Sequence, residues 1–126
     1  MKLPEPQSNM QGCDFEAHTL DLPQCCPVSH NPLPGSTVTI CYRPGAYVLD
    51  IVTLYTYIHQ YVGGLQDENG EIIVRDLEVM IARIAEDCAQ VVQVPVSACA
   101  RLLLTPKQSL YAFVRKKPES KGCLSQ

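Results

Sequence analysis

The sequence lacks any long apolar run and any excess of basic residues. No stretch approaches the roughly 18 apolar residues that a membrane-spanning helix needs. The first residues, MKLPEPQSNMQG, also lack the apolar centre of a secretory leader. We therefore expect a soluble, cytoplasmic protein with no membrane partner. The net charge of -3 excludes a globally basic surface, so contact with nucleic acid would require a local patch or subunits arranged in a ring.

The sequence also lacks the cysteine and histidine spacings that bind metals. Its seven cysteines include no C-x2-C pair, and His18, His30 and His59 fall in no ligand pattern. An odd number of cysteines without a secretory leader argues against a disulfide framework. We expect free thiols and no metal site.

The 126 residues, with 46% hydrophobic content, are enough for one domain with its own core. We expect flexible segments over 1–13, which is rich in polar residues and proline, and over 118–126, leaving a single domain over 14–117. One cluster of positive charge lies near the C-terminus and is typical of a solvated tail. It comprises Lys107, Arg115, Lys116, Lys117 and Lys121.

Hydrophobic periodicity predicts six main elements. DFEAHTLDL and STVTICY alternate as strands, and two more β-rich runs start at Val91 and Ser109 with PKQ between them as a turn. Apolar residues at spacings of three and four predict helices over 46–61 and about 75–89. The order favours an α+β domain, ββααββ, with an antiparallel four-stranded sheet and both helices on one face. Neighbouring subunits can close the free edges of such a sheet.

The stretch CPVSHNPLPGSTVTICYRPGAYVL, from Cys26 on, resembles the Cys-Pro-x-[Ser/Thr] loop, strand and Tyr-x-Pro turn of the QueF nitrile reductases and QueF-like archaeosine synthases. The resemblance continues in order over about residues 14–117. It implies a tunnel fold, with subunits assembled in a ring and active sites between them. It also implies action on 7-cyano-7-deazaguanine, as the free base or in nucleic acid such as tRNA, within queuosine or archaeosine modification.

The resemblance implies that Cys26 is the nucleophile that forms a covalent thioimide with the nitrile. Ser29, which completes the motif, and Asn31 are assigned to substrate binding. Leu33 stands where the family has a proton-handling aspartate, and we assign His30 to that task because its usual pKa suits a general acid. The alternative is that His30 is an exposed loop residue.

The base-binding His-Glu pair of the family is replaced here by Val74-Arg75. Glu71, Asp76 or Glu78 would then anchor the purine-like edge, since a carboxylate accepts hydrogen bonds from both a ring N–H and an amine. Asp76 suits a helix cap equally well. The position of Cys25 next to the nucleophile suggests either no role or a redox-sensitive pair.

Three functions remain open at this stage. The first is an amidine-forming enzyme that uses ammonia and no cofactor. The second is an NADPH-dependent reductase, which is disfavoured because residues 48–51 lack the lysine of the family's NADPH signature and no Gly-rich fingerprint occurs. The third is a non-catalytic tunnel-fold binding protein that retains the Cys-Pro turn.

Overall fold

The computed structural model describes residues 1–119 as an α+β domain. Two helices, α1 (Ile51–His59) and α2 (Leu77–Val92), accompany an antiparallel sheet of four strands. This confirms the predicted class, the two helices and the four-stranded sheet. In their order across the sheet, the strands are β2 (Glu16–Asp21), β3 (Thr37–Tyr42), β7 (Val96–Thr105) and β8 (Gln108–Lys116).

Two small strand pairs lie outside this sheet. Strand β1 (Pro6–Ser8) pairs with β4 (Tyr47–Leu49), and β5 (Leu65–Gln66) pairs with β6 (Ile72–Val74). The prediction of a flexible segment over 1–13 did not anticipate β1. The first helix starts at Ile51 rather than at residue 46, because residues 47–49 pair with β1 and the Asp50 carboxylate then accepts the Thr53 N–H at 2.9 Å as a helix cap.

Both helices contribute to a core that covers one face of the four-stranded sheet. Alternate residues of β3 and β7 are buried, as period-two side-chain direction requires. Helix α2 packs against β7 and β8 and contributes most of the helical core. Its buried side chains are Met80, Ile81, Ile84, Ala85, Cys88, Ala89 and Val92. Among residues 1–119, no helix is both long and apolar enough to cross a membrane.

A buried polar contact joins the two helices. The Tyr57 hydroxyl of α1 donates to Asp87 Oδ2 of α2 at 2.7 Å and lies 3.0 Å from the Tyr61 hydroxyl. Arg83 Nε lies 3.4 Å from the same carboxylate oxygen. Burial raises the pKa of Asp87, although Tyr57 and Arg83 oppose that shift. The Tyr57 hydrogen bond and the Arg83 ion pair therefore hold the carboxylate in place between the helices.

Ser36, a buried polar side chain, fastens the loop between β2 and β3 to the sheet. Its hydroxyl donates to the Leu33 carbonyl and accepts the Leu103 N–H, both at 2.8 Å. The Leu33 N–H in turn donates to the Leu103 carbonyl at 2.8 Å. These bonds tie the C-terminal half of the loop to β7, so the loop that carries Cys26 has a fixed base.

The positive cluster near the C-terminus is not wholly a tail. Arg115 and Lys116 belong to β8, and Lys107 lies in the turn between β7 and β8. Lys121 and residues 120–126 of the predicted flexible segment lie outside the described residues. Arg115 therefore has a defined position on the sheet.

Candidate functional site

The loop between β2 and β3 is closed around Cys26 by its own backbone. The Asn31 carbonyl accepts the N–H groups of Cys25 and Cys26, each at 2.9 Å, and the His30 N–H donates to the Cys26 carbonyl at 2.9 Å. His30 adopts a left-handed conformation with φ of 63°, which histidine tolerates better than most side chains. These bonds fold residues 25–31 into a compact turn that fixes the backbone on both sides of the thiol.

The two adjacent thiols have opposite environments. Cys25 is fully buried, and desolvation, followed by the nearby Cys26 and Asp76, raises its pKa to about 11. Cys26 is partly exposed, and hydrogen bonds from Ser29 lower its pKa, with smaller contributions from the Val28 backbone and the Arg75 charge. Since the thiolate is the reactive form of cysteine, Cys26 is the reactive thiol of the pair.

The Ser29 backbone N–H donates directly to Cys26 Sγ at 3.4 Å. Ser29 itself is placed by the turn, and its hydroxyl accepts the Asn31 N–H at 3.3 Å. The Cys-Pro-x-Ser order therefore has a local geometric consequence, because it places donor groups three residues after the sulfur. Those donors favour the negatively charged thiolate over the thiol.

Cys26 opens into a cleft of about 350 Å³ between its loop and the start of α2. Ser29 and Asn31 stand with Cys26 on the loop side. Leu104 of β7 and Leu110 of β8, both packed against the core, supply the apolar part. The helix side consists of Arg75, Asp76, Leu77, Glu78 and Val79. Five of the seven candidate site residues thus lie around one cleft: Cys26, Ser29, Asn31, Asp76 and Glu78.

Asp76 occupies the N-cap position of α2, with extended backbone angles of φ -84° and ψ 138°. Within residues 1–119, however, its carboxylate makes no capping hydrogen bond. The carboxylate is therefore available to the cleft, which weakens the interpretation of Asp76 as a simple helix cap. Glu78 places a second carboxylate in the first turn of α2, and Arg75 adds a positive charge directly before Asp76.

The start of α2 adds a favourable field for an anion. The first N–H groups of an α-helix have no intrahelical acceptor, and the helix dipole makes this end positive. Residues 77–79 of a 16-residue helix line the cleft that contains the Cys26 thiol. Together with Arg75, this end of the helix stabilises negative charge on the sulfur or on a ligand beside it.

The other two predicted site residues do not line the cleft. The His30 ring turns towards Gln24, with Nδ1 lying 2.6 Å from Gln24 Nε2. Glu71 lies in the turn between β5 and β6, where its N–H donates to Asp67 Oδ1 at 3.0 Å and its carbonyl accepts the Asp67 N–H at 2.9 Å. In this single subunit, proton handling by His30 and base binding by Glu71 have no geometric support.

Sequence reasoning missed Arg75, Leu104 and Leu110 as cleft residues. In the sequence Arg75 is recognisable only as a departure from the family's His-Glu pair. The leucines follow from strand alternation, since they face the helix layer on the β7–β8 hairpin, but only the packing of α2 identifies which inward residues meet the loop. The six described cysteines are free thiols. Residues 1–119 contain no group of three metal-ligating side chains arranged to hold a metal.

Comparison with known protein-family models gives no match, and a search of curated proteins gives none either. The functional interpretation therefore depends on the residues and geometry of the cleft, together with the resemblance of the Cys26 loop described above.

Proposed function

We propose that the protein is a QueF-like enzyme in which Cys26 attacks the nitrile of 7-cyano-7-deazaguanine and ammonia converts the thioimide to an amidine. The observation that carries this proposal is the Cys26 thiol, whose pKa is lowered, in the same cleft as the carboxylates of Asp76 and Glu78. A thiolate is a strong nucleophile near neutral pH, and a nitrile carbon is a suitable electrophile for it.

The chemistry requires no external oxidant or reductant. The thiolate sulfur bonds to the nitrile carbon, one π bond of the nitrile opens, and the nitrile nitrogen takes a proton from solvent. Ammonia then adds to the same carbon, loses a proton, and the C–S bond breaks. The thiolate is regenerated and the product is an amidine. Because the net reaction adds ammonia to a nitrile without a change of oxidation state, the proposal includes neither NADPH nor another cofactor.

The side chains of the cleft divide into two groups under this proposal. Ser29 stabilises the attacking thiolate, and Asn31 binds the substrate from the same loop. Asp76 and Glu78, across the cleft, accept hydrogen bonds from the ring N–H and exocyclic amine of the purine-like base. Substrate can be the free base or a nucleic acid that carries it, since the cleft opens to solvent at the exposed start of α2.

We also propose the tunnel fold and a ring of subunits for this chain. Within the described residues, β2 pairs only with β3 and β8 only with β7, so the sheet has two open edges. Open edges favour strand pairing with another copy. Asp76 and Glu78 are exposed in the single subunit, so a neighbouring subunit that covers the start of α2 would complete the substrate site.

Intact-protein mass spectrometry with 7-cyano-7-deazaguanine tests the proposal. We expect the wild-type mass to increase by the full mass of the nitrile, because thioimide formation is an addition. Cys26→Ala should abolish this adduct and Cys25→Ala, the matched control at the neighbouring position, should retain it. Addition of ammonia should then discharge the adduct and release a product heavier than the nitrile by one ammonia.

Two outcomes would contradict the amidine-forming enzyme. If the adduct disappears with NADPH and not with ammonia, and NADPH absorbance falls, the protein is a nitrile reductase. If the folded protein gives no adduct between about pH 6 and 9, a range that spans the usual thiol pKa, the non-catalytic tunnel-fold alternative is favoured. Leu33, which replaces the family's acid, is consistent with that alternative.

A further inference from the structure

The face of the four-stranded sheet opposite the helices carries exposed aromatic and basic side chains. On β8, Leu110 and Val114 pack towards the core. Tyr111 and Phe113, which alternate with them, are 68% and 66% exposed. Arg115 continues the exposed series on the same strand. The large side chains of this face are thus solvent-exposed.

The strand register gives the layout of this face. Phe113 lies opposite Cys99, which lies opposite Thr39 and then Thr19 across the sheet. The next row towards the C-terminal end of β8 joins Arg115, Ser97, Cys41 and Ala17. Most of these residues are small. These small side chains form a surface, called the floor below, next to the aromatic side chains of β8.

A depression of about 460 Å³ lies at one end of this floor. Phe113 and Phe15, the latter 55% exposed, provide aromatic surface in it, and Arg115 and Arg43 provide positive charge. Arg101 adds a third guanidinium on the same face, where its Nε donates to the Tyr111 hydroxyl at 3.2 Å. Among the described residues on the outward side of these strands, Asp21 is the acidic side chain.

We propose that this face binds single-stranded nucleic acid. Exposed aromatic rings on a sheet stack with unpaired bases, and arginines beside them contact the phosphates. Tyr111 and Phe113 are two residues apart on one strand, which separates them by roughly 7 Å, a spacing that allows two successive unstacked bases to lie on them. The chain as a whole is acidic, with a net charge of -3, so the three arginines form a local positive patch.

Charge also distinguishes nucleic acid from a second copy of the chain. In a two-fold interface the same patch lies on both partners. In such an interface formed by this face, the positive patch of Arg43, Arg101 and Arg115 would face the same positive patch of the partner, which is repulsive. A phosphate backbone instead complements all three. The inference does not depend on Cys26, because the stacking and phosphate contacts need no nitrile.

Fluorescence anisotropy with a labelled, unmodified single-stranded oligonucleotide tests this surface over a range of salt concentrations. Phe113→Ala should weaken binding at least about fivefold, because it removes a stacked base contact. Arg115→Gln should reduce the slope of log affinity against log salt by about 0.7, because it removes one phosphate contact. The matched controls are Tyr55→Ala, an exposed aromatic of α1, and Lys2→Gln, an exposed cation near the end of α1. We expect both to bind as wild type does.

Three results would overturn the inference: no binding of the oligonucleotide at low salt, equal losses in Phe113→Ala and Tyr55→Ala, or displacement by an equal nucleotide concentration of mononucleotide. The third result would indicate a free-nucleotide site.

Light scattering supplies an independent check. A change in the mass of the wild-type assembly on Phe113→Ala would show that another copy of the chain occupies the face, and would also overturn the proposal. Failure of this binding leaves the Cys26 adduct experiment unaffected, so the two proposals fail separately.

Discussion

The opposite environments of Cys25 and Cys26 make a quantitative prediction about alkylation. Burial raises the Cys25 pKa from 9.0 to about 11, whereas the Ser29 contacts lower the Cys26 pKa below 9.0. The thiolate fraction falls tenfold for each pH unit below the pKa. At about pH 8, roughly 0.1% of Cys25 is therefore ionised, and Cys26, whose pKa is lowered rather than raised, carries at least about a hundredfold more thiolate.

This gap of about a hundredfold in thiolate is partly offset by intrinsic nucleophilicity, which increases with thiol pKa. With a Brønsted coefficient of 0.4–0.5, the rise of the Cys25 pKa from 9.0 to about 11 increases the intrinsic nucleophilicity of its thiolate by a factor of about eight. Ionisation and intrinsic nucleophilicity together therefore leave Cys26 at least about tenfold faster with iodoacetamide. Complete burial of Cys25 widens the ratio, because the reagent reaches its sulfur only after local opening of the chain.

The two rates are measured separately in the Cys26→Ala and Cys25→Ala variants, by mass spectrometry of the peptide that contains the remaining thiol. In concentrated guanidinium chloride both rates should become similar, because burial and the Ser29 hydrogen bonds are lost. Equal rates in the folded protein, with each variant shown to be folded, would refute the assignment of Cys26 as the reactive thiol. A faster Cys25 would refute it more strongly.

Four further predictions concern contacts that hold the Cys26 loop and the rest of the fold. Ser36→Ala removes two hydrogen bonds from the base of the Cys26 loop and should cost about 1–3 kcal/mol in urea unfolding; an unchanged midpoint would contradict the clamp. Tyr57→Phe removes a hydrogen bond to the Asp87 carboxylate and should cost about 1.5–3 kcal/mol by the same measurement. Because burial raises the folded-state pKa of Asp87 above its usual 3.8, this group lowers stability as pH rises from 3.8 through the raised pKa. Asp87→Asn should therefore flatten the dependence of unfolding free energy on pH in that window, and an unchanged slope would contradict it. Gly64→Ala places a Cβ 2.8 Å from Ile72 Cγ2 at a φ of +98° and should cost about 1–3 kcal/mol, which differential scanning calorimetry would detect; an unchanged melting temperature would contradict the strain at this position, which immediately precedes β5.

The local sequence pattern was sufficient to predict the elements that have a regular hydrophobic periodicity. Strands β2, β3, β7 and β8 alternate along their length, and α2 carries a stripe of apolar residues wide enough to identify a helix. The start of α1 was not predictable in this way. Residues 47–49 look helical in a window of neighbours, yet they pair with residues 6–8, and the sequence alone provides no measure of that distant contact.

The residues of the candidate site show the same distinction between local pattern and distant contacts. The Cys-Pro-x-Ser order identified Cys26, Ser29 and Asn31 as neighbours because one short loop contains them. It assigned His30 to the same site for the same reason, but a left-handed backbone at His30 and the contact with Gln24 place its ring elsewhere. Glu71 and Asp76 were equivalent candidates in the sequence, and only the packing of α2 places Asp76 beside the loop.

The sequence by itself determined the α+β class, the order of the main strands and helices, and the loop that presents a thiol next to a proline. The tertiary structure decided which of two adjacent cysteines is buried, which carboxylates face the loop, and which side of the sheet the two helices cover. The physical reason is range. Periodicity and turn chemistry act over a few residues, whereas burial, electrostatic neighbours and the exposed face of a sheet depend on groups far apart in the chain.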